Sequence, residues 1–311
     1  MSVYHVTAML DEAVAMLACR PGQTIVDGTL GGCGHARKIC RLIAPDGVLV
    51  GIDQDQDAID HARRVLPVDE MRIHIVHDNF AALPSILSRL GIAGVDGILV
   101  DIGLSLHQLE ASGRGFSFNR DEPLDMRMDV RSKVTAAELV ATMSERELAQ
   151  MFSRLGEERW AVRIARHLAA CRKTRPVSTS GQLAQLVAEA VPASARGRRI
   201  HPATRVFMAL RIAVNRELEV LEQFLDAAVA QLRPAGRLCV LAFHSLEDRI
   251  VKHRFRAMAD PCTCPPSFPH CVCGRRPAVR LLTRKVMQPS EREVHDNPMA
   301  RSTRLRAVEK R

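Results

Sequence analysis

The sequence predicts an α/β protein, a doubly wound parallel sheet interrupted by an inserted, all-helical domain. Three observations predict it. Short apolar runs that end in an acid recur at Thr24–Asp27, Val48–Asp53 and Asp96–Asp101, with helical periodicity between them. The alternation stops after Asp101, and helix start signals take over until about residue 200. Strand and helix patterns then resume and run to the end of the chain. Strands this apolar have both faces covered, which is the mark of a parallel sheet between helical layers.

Each element follows from its own residues. Ala8 to Leu17 reads as an amphipathic helix. Thr24-Ile25-Val26-Asp27 is a buried strand, and four glycines (Gly28, Gly31, Gly32 and Gly34) follow within seven residues. Ala36, Ile39, Cys40 and Ile43 then mark one face of a helix. Val48 to Asp53 is the second strand, and Asp57 or Asp55 can cap the helix that runs to about Leu66. Arg72 to Val76, Leu83 to Leu90 and Asp96 to Asp101 read as strand, helix and strand. Ile102 to Asp129 has no clear period. Thr135-Ala-Ala-Glu138 and Ser144-Glu-Arg-Glu147 both spell capping boxes, and Glu157–Cys171 and Gly181–Val191 are further helices. Phe207, Leu210, Val214, Leu218, Leu221, Leu225, Ala228 and Leu232 form one long helical stripe, broken by Pro234-Ala-Gly236. Arg237–Phe243 is a strand, Leu246–Met258 a helix, and Val279–Val286 with Arg304–Val308 a closing hairpin. The expected domains are 1–109 with 201–311 for the sheet, and 110–200 for the helical insertion.

Composition narrows the class. A chain of 311 residues with 47% apolar content can bury a sizeable core. Charge interrupts every apolar run well before 18 residues, so no membrane span is expected. With no hydrophobic signal stretch, a soluble, cytoplasmic protein is expected. Nine cysteines, an odd number mostly scattered, fit a reducing compartment better than a disulfide framework. The net charge of +9 is uneven. Residues 1–104 are acidic, with 8 basic against 13 acidic side chains, whereas 105–205 has 17 against 11 and 249–311 has 15 against 5. Basic charge concentrated in this way suits a polyanion such as nucleic acid.

The chemistry gathers at the strand ends, where open parallel sheets bind ligands. Asp27, Asp53 and Asp101 stand there. Asp53 lies 19 residues after Gly34, where a carboxylate can accept both hydroxyls of an adenosine ribose. Asp78-Asn79-Phe80, after the third strand, can offer an adenine an edge contact and an apolar face. The glycine spacing is not Gly-x-Gly-x-x-Gly, since Arg37 occupies the third fingerprint position. Asp27 also repels a pyrophosphate. An acid beside the loop suits a cofactor with an ammonium and a sulfonium, which points to S-adenosyl-L-methionine over a nicotinamide dinucleotide.

These residues carry a family resemblance. Asp27-Gly-Thr-Leu-Gly-Gly-Cys-Gly-His35, Asp101-Ile-Gly-Leu-Ser105 with Gln108, Arg114-Gly-Phe-Ser-Phe118 and Leu124-Asp-Met-Arg-Met-Asp129 resemble motifs of the MraW family, the ribosomal RNA small subunit methyltransferase H group. Gly156-Glu-Glu-Arg159, His201-Pro-Ala-Thr-Arg205, Leu210-Arg-Ile, Val214-Asn215 and Phe243-His-Ser-Leu-Glu-Asp-Arg-Ile-Val-Lys252 extend it over about 5–256. The resemblance implies a Rossmann-like class I methyltransferase sheet. It also implies methyl transfer from S-adenosyl-L-methionine to the exocyclic N4 of a cytidine in the decoding region of 16S rRNA, with the small ribosomal subunit as partner and no DNA. Family cofactor contacts fall on Cys33, Gly34, His35, Asp53, Phe80, Asp101 and Gln108. Cys33 stands where glycine is usual, Leu106-His107 replaces a Ser-Pro pair, and Met208 replaces a Gln.

A cytosine amino group is a poor nucleophile, because its lone pair is delocalised into the ring. Holding it in line with the methyl group, and accepting its proton, is the work required. Asp101, His244 and Glu247 are the possible acceptors, and the sequence leaves the choice open. The insertion is basic mainly at Arg172, Lys173, Arg175, Arg196, Arg198, Arg199 and Arg205, which suit phosphates. Phe116 and Phe118 can stack a splayed base or pack in their own loop. Cys262-x-Cys264 and Cys271-x-Cys273 place four thiols within twelve residues, as a zinc site or as thiols that stay reduced or oxidise. Two other classes remain: an idle RNA-binding assembly factor, which would not bind cofactor, and a nicotinamide dehydrogenase, which would bind NADH tightly.

Overall fold

The computed structural model describes residues 7–193, 201–265, 268, 270 and 272–311. Its contacts divide the chain into two compact units, Met1–Gly103 with Leu218–Arg311, and Leu104–Glu217. The edges expected at 110 and 200 fall inside the second unit. The reason is the helix Ala203–Asn215, which buries Val206, Phe207 and Leu210 in that unit's core.

The first unit opens with α1 (Leu10–Leu17), β1 (Thr24–Asp27), α2 (Gly34–Ile43), β2 (Val48–Asp53), α3 (Gln56–Val65), β3 (Arg72–His77), a 3₁₀ turn (Phe80–Ala82), α4 (Leu83–Arg89) and β4 (Val95–Asp101). The second unit carries α5 (Leu106–Glu110), α6 (Ala136–Thr142), α7 (Glu145–Gly156), α8 (Ala161–Cys171), α9 (Ser180–Ala190) and α10 (Ala203–Asn215). The chain then returns through α11 (Glu217–Gln231), β5 (Leu232–Ala242), α12 (Ser245–Ala259), β6 (Val279–Leu281), α13 (Glu291–Asp296) and β7 (Arg304–Lys310).

The seven strands lie in the order β3-β2-β1-β4-β5-β7-β6. All pairings from β3 to β5 are parallel, and β7 runs antiparallel between β5 and β6. Alternate residues feed two cores, as the period-two side-chain direction of a strand demands. Val26, Val50, Ile98, Val100, Leu238 and Val240 face Leu83 of α4, Phe224 of α11 and Phe255 of α12. Ile25, Leu49, Leu99, Cys239 and Leu241 face Val14 of α1, Ile39 of α2 and Ile59 of α3. Each large side chain buried in this way contributes about 1.5–3 kcal/mol.

Several local expectations are decided or changed. Asp55, not Asp57, caps α3, with its carboxylate accepting from the Asp57 N–H at 3.1 Å. The helix expected from Glu157 starts at Ala161, because Glu157 takes a left-handed φ of 48° and closes α7. The stripe from Phe207 to Leu232 breaks into α10 and α11 at Arg216, with φ 51°. A hydrophobic period does not register a single left-handed residue, because the stripe resumes in phase beyond it. Pro234-Ala-Gly236 becomes an irregularity inside β5: the register jumps from Val95↔Leu232 to Gly97↔Arg237, around Ala235 at φ 63°. Both capping boxes, at Thr135 and at Ser144, form as spelled.

Candidate active site

The site begins with strand register. Asp27 lies opposite Gly51 of β2 and Leu99 of β4, so both neighbours run two residues past β1. Asp53 and Asp101 therefore flank a notch at the point where strand order reverses, and the glycine loop crosses it. The Gly28 N–H donates to the Leu99 carbonyl at 2.8 Å, and the Leu30 N–H to the Ile52 carbonyl at 3.0 Å. A Cβ on Gly28 would stand 2.7 Å from Val100 Cγ1, so only glycine passes there.

Two further glycines serve different ends. Gly31 has φ +45° and open space where a Cβ would point, which leaves its backbone accessible to a ligand. A Cβ on Gly34 would lie 1.8 Å from Thr7 Oγ1, so Gly34 is glycine because Thr7 packs on it. Cys33 settles the question raised by its side chain. Its φ is 61°, in the left-handed region, and its thiol is fully buried. That conformation costs about 1–2 kcal/mol for a side-chain-bearing residue. Burial, with the Asp27 and Asp53 carboxylates nearby, pushes the thiol's pKa well up. Only the backbone of Cys33 is available for recognition. His35 is also buried, with Nδ1 3.7 Å from Asp101 Oδ2, beyond direct hydrogen-bond reach.

The three acids differ in how they are satisfied. Asp53 accepts from the Gly31 N–H at 2.9 Å through Oδ2 and from the Asp55 N–H at 2.8 Å through Oδ1. Each carboxylate oxygen has a second lone pair, so the group is aimed by the loop and can still take hydroxyls. Burial outweighs those bonds and lifts its pKa to about 6. Asp27 is fully buried and accepts from the Thr29 N–H at 3.2 Å through Oδ1, while Oδ2 has no hydrogen-bond partner among the described residues. Burial raises its pKa well above the ordinary range, with Asp101 and Asp53 adding to the effect.

Asp101 is the least satisfied. Its N–H donates to Thr29 Oγ1 at 2.6 Å, but its carboxylate Oδ1 has no hydrogen-bond partner among the described residues. Burial first, and then the Glu247 carboxylate, push its pKa to about 7. His244 and Glu247 are already engaged in capping α12. His244 Nδ1 accepts from the Glu247 N–H at 3.4 Å, and Glu247 Oε2 accepts from the Phe243 and His244 N–H groups at 2.9 and 3.2 Å. His244 Nε2 stands 3.0 Å from Glu247 Oε1, but without hydrogen-bond alignment.

Phe80 turns its ring inward, 8% exposed, and packs edge-to-face on Phe224 at 4.9 Å. Asn79 caps the 3₁₀ turn through the Ala81 N–H at 2.9 Å and reaches Gln54 at 2.8 Å. Thr29 and Gly31 are not among the contacts that the family resemblance implies. The signal was their place inside the glycine loop, but their partners lie 72 and 22 residues away.

The second unit holds the other dense motifs, and its polar groups are engaged. Arg114 is buried and donates through Nη1 to the carbonyls of Arg127 and Met128, at 3.1 and 3.0 Å. Arg127 forms a bidentate pair with Asp125, at 2.7 and 2.6 Å. The Arg127 guanidinium also lowers the Asp125 pKa, against burial. Asn215 accepts from the Met128 N–H and donates to the Met126 carbonyl, both at 2.8 Å. A Cβ on Gly156 would stand 2.5 Å from the Arg205 carbonyl, which explains that glycine. Phe116 sits in the helical core, and Phe118 packs on Phe207 and His201 at 5.2 and 4.6 Å. Both rings therefore take the packing role. Gln108 is buried as the third residue of α5, in a capping box with Ser105. Arg196, Arg198, Arg199 and Cys271 lie outside the described residues.

Strand order, the notch at its reversal and the acids around the glycine loop define a class I methyltransferase sheet. The chain belongs to the MraW methylase family, whose model matches residues 2–311. A ribosomal RNA small subunit methyltransferase H from Desulfosudis oleivorans is 53% identical over 311 residues, covering 100% of both chains. Its namesakes from Desulforapulum autotrophicum and Syntrophobacter fumaroxidans are each 52% identical, over 99% and 98% of this chain and 99% and 96% of theirs. Among the described residues, no helix is long and apolar enough to cross a membrane.

Proposed function

We propose that this chain transfers a methyl group from S-adenosyl-L-methionine to the exocyclic N4 of a cytidine in the decoding region of 16S rRNA, in the cytoplasm. Support comes from membership of the methylase family and from the name its relatives carry over the full chain. The observation that carries the chemistry is the orphaned, buried Asp101 Oδ1 at the end of β4.

The residues fit the cofactor. Gly31 leaves an open backbone cradle, Asp53 is aimed for ribose hydroxyls, and Asp27 and Asp101 offer uncompensated negative potential to a cation. When bound, the cofactor supplies an electrophilic methyl group on a sulfonium. We assign its contacts to Cys33 and Gly34 through the backbone, to His35, Asp53 and Asp101, and to the chain at Phe80. Gln108, in the second unit, is assigned on the family motif alone. Asp101 accepts a hydrogen bond from the amine through Oδ1, which favours a pyramidal nitrogen, and then takes its proton. A pKa near 7 matches that duty. His244 and Glu247 cap α12, and the Glu247 carboxylate adds to the burial that keeps the Asp101 pKa high. The exposed Lys173 and Arg175 of the second unit suit RNA phosphates without reading sequence.

The test is methylation of small subunits, and of naked 16S rRNA, from a strain lacking the gene. N4-methylcytidine in the nuclease digest is the expected product. Its absence from both substrates, with cofactor binding intact, overturns the reading.

A further inference from the structure

We propose that Cys262, Cys264 and Cys273 hold a zinc ion that staples the loop between α12 and β6. The loop runs from Asp260 to Ala278, and its described residues form no helix or strand. Its neck is closed, since the Ala278 N–H donates to the Met258 carbonyl at 2.9 Å. Structureless loops of this length are uncommon in compact proteins and need something to order them. Its described residues offer no apolar core to do so: Phe268 and Val272 are 50% and 73% exposed.

The thiols supply what the loop lacks. The three sulfurs lie within 4.8 Å of one another, and Cys273 Sγ is 4.0 Å from Cys262 Sγ. Thiolates on a tetrahedral zinc, with Zn–S bonds of about 2.3 Å, stand about 3.8 Å apart. Cys264 Sγ accepts from the Val272 N–H at 3.3 Å, so its sulfur is held in place by the backbone across the loop. Gly274, at φ +65°, turns the chain directly after Cys273. A disulfide would join two sulfurs and leave the third beside them, whereas a metal uses all three, with a fourth ligand completing the tetrahedron. Arg275 and Arg276 follow at once and are exposed, so the staple would also fix a basic pair on the surface.

The full-length chain, purified without chelator from zinc-supplemented cells under reducing conditions, should carry about one zinc per chain by elemental analysis. Exchange with cobalt should give intense thiolate-to-cobalt absorption in the near ultraviolet. Cys262→Ser and Cys264→Ser should each fall below about a tenth of an equivalent, while Cys171→Ser keeps its zinc. Stripping the metal should speed tryptic cleavage after Arg275 about tenfold, with the main melting transition unmoved. If either serine variant fails to fold, the cobalt spectrum and the cleavage rate of the wild-type chain still decide. Zinc below a tenth of an equivalent, both as purified and after titration of the reduced chain, overturns the proposal. So does zinc that survives in both serine variants, or a Cys262–Cys273 disulfide in the chain as purified.

Discussion

The glycine loop at the end of β1 and the Arg114–Asp129 segment of the helical unit look alike in sequence. Both combine glycine and acid residues within a family motif. In the folded chain they are opposites. Around the loop, Asp27 and Asp101 each bury an oxygen that finds no hydrogen bond among the described residues. In the helical segment, Arg114, Asp125, Arg127 and Asn215 close a network on backbone carbonyls, N–H groups and one another. A buried polar group that is satisfied holds structure, and one left unsatisfied is costly unless a ligand completes it. The difference separates residues that do chemistry from residues that build the platform, which a motif alone cannot do.

The largest expected effect is at Asp101. Asp101→Asn should lower kcat by about 10²–10⁴-fold at saturating cofactor, beyond any loss of cofactor affinity. In the wild type, kcat/KM should rise with pH through about 7 as the carboxylate ionises. Stability should move the other way. The folded chain keeps a proton on Asp101 that the unfolded chain loses near pH 4, so this group's contribution to stability is full below pH 4 and is lost as pH rises through about 7. The asparagine variant should therefore gain about 1–3 kcal/mol at pH 8 and nothing at pH 4, as read by denaturant melts. A variant with full activity, or one destabilised at pH 8, breaks the assignment.

Arg114→Ala should act in the opposite sense. It removes a buried cation from two carbonyls and should destabilise the chain by about 2–4 kcal/mol. Cofactor affinity, measured on the folded fraction by calorimetry, should stay within about threefold. Lost cofactor binding with an unchanged melting temperature would move this motif from platform to site. The smallest effect is expected at Cys33. Glycine there relieves the left-handed strain but gives up a buried side chain, and each term is about 1 kcal/mol. Cys33→Gly should leave stability within about 1 kcal/mol and cofactor affinity within about twofold. A large change in affinity would show that the thiol, not the backbone, meets the ligand.

Much of this was legible before folding because it is local. The strand Val48–Asp53, the capping boxes at Thr135 and Ser144, and the acids at the ends of β1, β2 and β4 follow from period, propensity and cap chemistry within a few residues. The left-handed turns at Glu157 and Arg216 were hidden, because a hydrophobic stripe carries no record of backbone sign. The roles of Phe80, Phe116 and Phe118 were hidden for another reason. An aromatic ring near a site can face a ligand or a core, and only its packing partners decide.

By itself, the sequence determined the parallel sheet, its glycine loop and the set of acids from which the site is drawn. The tertiary structure decided which of those acids is left wanting. Thr29 reaches β4 over 72 residues, and Glu247, at the start of a late helix, raises the pKa of Asp101 at the end of the fourth strand. Desolvation and charge proximity are properties of three-dimensional neighbours, so no window along the chain contains them.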